Sequence, residues 1–173
     1  MFRLLIKGGK KLKIKFGSML LILSLILTAC NLGVKPEEHL GEIYSVALDA
    51  IMEKDEALSS EMKFIAIDMS NFDDGLSKKD KKEIMIFFKD KYKVEVMDAT
   101  FDELEEKGYY DADKMTLDGV LLRIEKMDFK LNNNVFFEGS KYRSGLGAIG
   151  VEGTVHYKDG NWQMKESKET WIS

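Results

Sequence analysis

The sequence predicts an α+β fold in which N-terminal helices pack on a mostly antiparallel sheet, ending in a four-stranded meander over residues 119–172. Three observations predict it. Apolar residues recur at helical spacing after Pro36, the segment 62–97 reads strand, helix, strand, and from Gly119 onward apolar and polar residues alternate between hairpin turns.

Pro36 suits the first turn of a helix, and Glu37 and Glu38 stand where the helix dipole favours acids. Leu40, Ile43, Tyr44, Ala47, Leu48, Ile51 and Met52 follow at spacings of three and four, which predicts an amphipathic helix reaching Lys54. His39 lies beside this stripe as an exposed first-turn residue, with no partner at ligand spacing. The apolar run from Met62 to Met69 contains Phe64, Ile65 and Ile67 and reads as a strand buried on both faces. After the polar loop Ser70 to Gly75, Ser77 and Asp80 resemble a capping pair. The helix they open runs to Lys91 and commits Ile84, Phe87 and Phe88 to the core. Tyr92 to Val96 then alternates as a half-buried strand, so one right-handed parallel crossover fits residues 62–97. Thr100 and Glu103 form a capping box for a short helix that stops at Gly108. Asp111 and Asp113 hint at a calcium loop. Met115 and Thr116 occupy the places of the next oxygen ligand and the required Gly, which leaves a solvated acidic face.

Four strands complete the chain: Val120 to Phe129, Val135 to Arg143, Val151 to Tyr157 and Trp162 to Ile172. Asn132 to Asn134 turn the first into the second, and Asp159-Gly160 is a two-residue hairpin signal. In the third strand Val151, Gly153, Val155 and Tyr157 share one face and Glu152, Thr154 and His156 the other. His156 therefore points to solvent or a cleft. Trp162 and Trp171 read as core packing.

The first fifteen residues carry Arg3, Lys7, Lys10, Lys11, Lys13 and Lys15 and no acid, and an apolar run from Phe16 to Leu27 follows. This is the charge and hydropathy pattern of a secretory signal, shorter than the roughly 20 apolar residues a membrane-spanning helix needs. It ends in Leu27-Thr28-Ala29-Cys30, the only cysteine. That quartet resembles the lipobox of bacterial lipoprotein precursors. The resemblance implies a diacylglyceryl lipid on Cys30, cleavage of residues 1–29, a lipidated tether over 30–35 and one globular domain over 36–173. It also implies a place on the outer face of the cytoplasmic membrane, held by the lipid, since two acyl chains anchor a protein where one does so only marginally. Loss of the six basic residues takes the formal charge from −4 to −10, a surface that repels nucleic acid. With Cys30 as the only thiol, no internal disulfide forms.

Gly145-Leu146-Gly147-Ala148-Ile149-Gly150 spells G-x-G-x-x-G. A dinucleotide site requires a helix after the glycines, whereas here a strand follows. A kinase loop requires a downstream lysine, a catalytic loop and a metal-binding Asp, and only 23 residues remain. The glycines read as a bend or bulge between two long strands. The competing reading is an anion receptor, in which Lys141 and Arg143 share a face beside exposed backbone N–H groups.

Tyr142-Arg143, the glycine-rich link, Trp162 and Thr170-Trp171-Ile172-Ser173 together resemble the end of a group of small lipoproteins of Gram-positive bacteria. That resemblance implies no catalytic residues. Asp159-Gly160-Asn161-Trp162 before a long last strand is similar to cystatin-like and nuclear-transport-factor-like folds, where helices pack on a curved antiparallel sheet. This bears on fold alone.

An enzyme needs a positioned nucleophile, an acid–base pair or a metal. The chain has two distant histidines and no G-x-S-x-G, so neither catalytic residues nor metal ligands are assigned. The expected function is a non-enzymatic, membrane-anchored module that binds an envelope protein or a small ligand, with no cofactor beyond the lipid. The candidate surface is the open sheet face near Lys141, Arg143 and His156, flanked by Tyr142 and Trp171. The alternative is a small envelope hydrolase using paired carboxylates. The anchor predicts that radiolabelled palmitate marks the wild-type chain and leaves Cys30→Ala unlabelled. A wild-type chain secreted free and unlabelled would exclude it.

Overall fold

Helix α1, Leu40–Met52, buries all seven residues of its predicted stripe. A computed structural model describes residues 34–72 and 75–173, so the signal-like segment, Cys30 and the tether up to residue 33 lie outside the described residues. Pro36 opens a separate 3-10 turn, Pro36–Glu38, and His39 stands at the junction with α1. The helix ends two residues before Lys54, because Asp55 takes a left-handed backbone (φ 42°) that turns the chain into a second 3-10 segment, Glu56–Ser59.

Strand β1, Phe64–Asp68, is buried throughout. Helix α2, Lys78–Tyr92, opens on a complete Ser77/Asp80 capping box. It places Ile84 and Phe88 in the core but leaves Phe87 37% exposed, correcting the expectation that all three are buried. Adjacent residues on a helix point about 100° apart, so Phe87 and Phe88 cannot both face one sheet. Lys93 caps α2 in a left-handed conformation, which delays strand β2 to Glu95–Asp98. β1 and β2 pair in parallel around α2.

Helix α3, Phe101–Glu106, has the complete Thr100/Glu103 box and is followed by Gly108 at φ 77°. Two-residue strand β3, Tyr110–Asp111, then pairs with the start of β4, Thr116–Lys130. Between them Asp111 closes the turn. Its Oδ1 accepts from the backbone N–H groups of Asp113 and Lys114, and its Oδ2 meets Lys114 Nζ at 2.7 Å. The meander continues through β5 (Asn134–Ser144), β6 (Gly147–Lys158) and β7 (Asn161–Ile172). Both long hairpins, β4–β5 and β6–β7, have two consecutive positive-φ residues, Asn132-Asn133 and Asp159-Gly160. That backbone suits the right-handed strand twist.

The sheet runs β2-β1-β4-β5-β6-β7, with β3 beside β4. β1 is parallel to both neighbours and the other pairings are antiparallel. α1 lies across β4 to β7 and against α2. On the opposite face α3 covers only the β1 end, where Leu104 packs with Phe64, Ala66, Leu117 and Leu121. The remainder of that second face is uncovered. Among the described residues no helix is long and apolar enough to cross a membrane.

Because α3 has six residues, its cap matters more than propensity. Thr100→Ala is expected to cost about 1 kcal/mol in a urea melt, and an unchanged midpoint would show that packing alone holds α3.

Candidate functional site

β5 sends alternate residues to opposite sides, and this decides the fate of the predicted surface. Lys141 faces α1 and is completely buried. Its Nζ donates to the carbonyls of Met52 (3.0 Å), Lys54 and Asp55 (2.9 Å) and to Ser59 Oγ (3.1 Å). These groups lie at the C-terminus of α1, where carbonyls lack helical partners and the dipole favours a cation. Burial pushes the Lys141 ammonium down from 10.5 to about 8, against the opposing pull of Asp55, Glu169 and Glu56. Arg143, the extra residue of a bulge between Tyr142 and Ser144, donates through Nη1 to Leu58 O (2.9 Å) and Ser60 O (2.6 Å). The two cations do share a face, but it is the covered one. They clasp residues 52–60: Lys141 is wholly enclosed, and half-buried Arg143 commits its Nη1 to the segment.

The anion-receptor reading of the glycine-rich link loses its donors for the same reason, and the Gly145 N–H is bonded to Met115 O at 3.2 Å. Most of the supposed link is strand: β6 begins at Gly147, four residues before the predicted start. Gly150 has a steric role. A Cβ there would come within 2.0 Å of Trp171 Nε1, so its absence lets the indole lie against the sheet.

Tyr142 and Trp171 do meet, on the uncovered face. With Phe101, Leu121 and Ala148 they wall an open cavity of about 440 Å³. Trp171 is 45% exposed, whereas Trp162 is buried in the core. His156 occupies the same face, but it pairs with Asn134 and Gln163, six residues along β6 from Gly150. At ~3.4 Å per residue that is about 20 Å away, so His156 is not part of this site.

The cavity's polar wall is Arg123, Glu125 and Ser140. Arg123 donates through Nε (3.0 Å) to Oδ2 of Asp68, with Nη2 ion-paired 2.9 Å from the same oxygen, and Asp68 is 2% exposed at the end of β1. The other Asp68 oxygen accepts from the Ser70 N–H (3.0 Å) and Ser70 Oγ (2.5 Å). Glu125 is the extra residue of a bulge between Ile124 and Lys126, and accepts from Ser140 Oγ at 2.8 Å. That bulge turns both Glu125 and Lys126 to the uncovered face, since Lys126 reaches Glu138 (3.4 Å) there. Burial, then the neighbouring Tyr110 hydroxyl, push the Tyr142 phenol up.

The wall residues were missed by sequence reasoning, though two signals existed. A carboxylate ending an all-apolar strand demands a partner, and alternation from Leu121 puts Arg123 on that residue's face. Among the described residues no group of three side chains is arranged to hold a metal. A search of family models finds no match to the chain, and comparisons with curated proteins and with solved structures find none either.

The Lys141 clasp has a pH signature. Its folded value of about 8 lies below 10.5, so between those values the unfolded chain binds more protons and the contribution of Lys141 to stability rises with pH. Wild type is expected to gain stability relative to Lys141→Met across that window, by at most about 1.4 kcal/mol per pH unit, read from urea melts. A difference that stays level or shrinks would show that the carbonyl cage outweighs burial.

Proposed function

We propose that the chain is the precursor of a lipid-anchored, extracytoplasmic binding module, held by Cys30 at the outer face of the cytoplasmic membrane and using the cavity on its uncovered face to bind a small ligand. The lipobox-like quartet supports the anchor. The observation that carries the binding role is the aromatic-walled cavity of about 440 Å³ with its small polar wall, a volume and lining suited to a small molecule.

A tether ending at residue 35 reaches the domain near His39, whose ring lies 6.5 Å from that of Tyr157 and 6.4 Å from that of Trp162. Nine residues of β6 separate Tyr157 from the cavity's Ala148, about 30 Å at ~3.3 Å per residue. The ligand site is therefore remote from the point of attachment. A paired-carboxylate hydrolase draws less support, because among the described residues Glu125 is the one acid lining the cavity and Asp68 beneath it is committed to Arg123. A second depression on the same face has Glu152 and Glu166, but Lys168 binds Glu152 at 2.9 Å.

The test is a library of water-soluble aromatic and aliphatic fragments of every charge, applied to the full chain in non-ionic detergent and followed by the Trp171 indole N–H resonance. Fragments are expected to move this signal, and Tyr142→Ala is expected to weaken them about tenfold, roughly 1.4 kcal/mol. If no fragment perturbs Trp171, the cavity is not a ligand site.

A further inference from the structure

The charges around the cavity are unequal, and this identifies a ligand class. The inference rests on the cavity being the ligand site. Among the described residues Arg123 is the only cation in the wall, and Asp68 already neutralises it, with both Nε and Nη2 near one carboxylate oxygen. Arg123 Nη1 has no protein partner among the described residues. Glu125 has no basic partner among them either: its single hydrogen bond comes from Ser140 Oγ, and neighbouring Lys126 is taken by Asp128 (3.3 Å) and Glu138 (3.4 Å). Arg123, Asp68 and Glu125 together leave one surplus negative charge at the wall. The formal charge of −10 beyond the signal-like segment adds a field that draws cations and repels anions.

The apolar walls favour the same sign. Phe101 and Tyr142 meet edge to face, with centroids 5.5 Å apart and planes at 89°, and Trp171 is held against Gly150 beside them. Aromatic faces carry the negative lobe of a quadrupole, and indole is the strongest cation binder of the three. A metal ion would need several oxygen or nitrogen ligands in place of rings, and no such group stands among the described residues. The geometry points to an organic ammonium ion with an apolar body as the ligand: its charge lies between the Trp171 and Tyr142 rings and Glu125, its carbon atoms lie on Leu121 and Ala148, and Arg123 Nη1 is left to donate to a neutral acceptor on the same molecule.

Three probes of similar shape separate charge from shape: choline, its neutral analogue 3,3-dimethylbutan-1-ol, and anionic 3,3-dimethylbutanoate. Each is titrated into the full chain in non-ionic detergent at low and high salt, with the Trp171 indole resonance as readout. Choline is expected to bind at least about tenfold tighter than the alcohol, the cation–π contacts and the Glu125 carboxylate together supplying the difference. The butanoate is expected to bind weakest. Glu125→Gln, a change at an exposed carboxylate, is expected to reduce the choline-to-alcohol ratio at least about threefold and to flatten its salt dependence. If the alcohol or the butanoate binds as tightly as choline, or if Glu125→Gln leaves the ratio unchanged, the ammonium assignment is overturned while the cavity remains a ligand site. If none of the three probes and no library fragment moves the Trp171 signal, both readings fall.

Discussion

The arrangement depends on one buried ammonium. Helix α1 ends over the sheet with carbonyls that no further turn of helix can satisfy, and at that end the dipole is negative. A lysine supplies three donors on a long stem, and Lys141 brings them from β5 to the carbonyls of Met52, Lys54 and Asp55. Arg143 extends the clasp to Leu58 and Ser60. Desolvation opposes the charge, as the lowered Lys141 value records, but an unsatisfied set of buried carbonyls would oppose folding as well. The interaction ties the end of α1 to β5, beneath the apolar stripe that α1 buries on the meander.

Once Lys141 is committed to that side, the strand's period of two forces Ser140 and Tyr142 to the other. Short α3 covers this second face only near β1, and the cavity opens where its cover stops. Its polar wall uses two further constraints. Asp68, buried at the end of a strand with helices on both sides, needs a cation and takes Arg123. A bulge in β4 adds Glu125 to the same wall. The surplus negative charge in the cavity is thus a consequence of how a buried carboxylate is satisfied, combined with one extra residue in a strand.

Much of the fold was legible in local chemistry. The α1 stripe, both capping boxes, the Asp159-Gly160 turn and the alternation in β6 all report interactions within a few residues, which sequence spacing expresses directly, and the parallel crossover followed from the order strand, helix, strand. The candidate site was legible only in part. Tyr142 and Trp171 fall in the cavity, while Lys141 and Arg143 lie on the far side of β5 and His156 lies about 20 Å along β6. Alternation states which residues share a face and is silent on which face a helix will cover. Cations next to glycines resemble an anion receptor locally; only the proximity of residues 52–60 shows the Lys141 ammonium and Arg143 Nη1 to be occupied. The start of β4 at Thr116 and its pairing with β3 were missed because two paired residues carry almost no periodic signal.

By itself the sequence determined most of the secondary elements, the hairpin turns and the alternation of β6, because each follows from backbone preference and the periods of helix and strand. The lipobox-like quartet and the excess of acids are also properties of composition and order alone. The tertiary structure decided which parity faces α1, that Lys141 is a helix-end clasp, that Arg123 is spent on Asp68, and that three aromatic rings and one carboxylate surround a single cavity. The physical reason is separation along the chain: Met52 and Lys141, Asp68 and Arg123, and Phe101 and Trp171 are each brought together by sheet pairing and helix packing, so no local pattern in the sequence records that they meet.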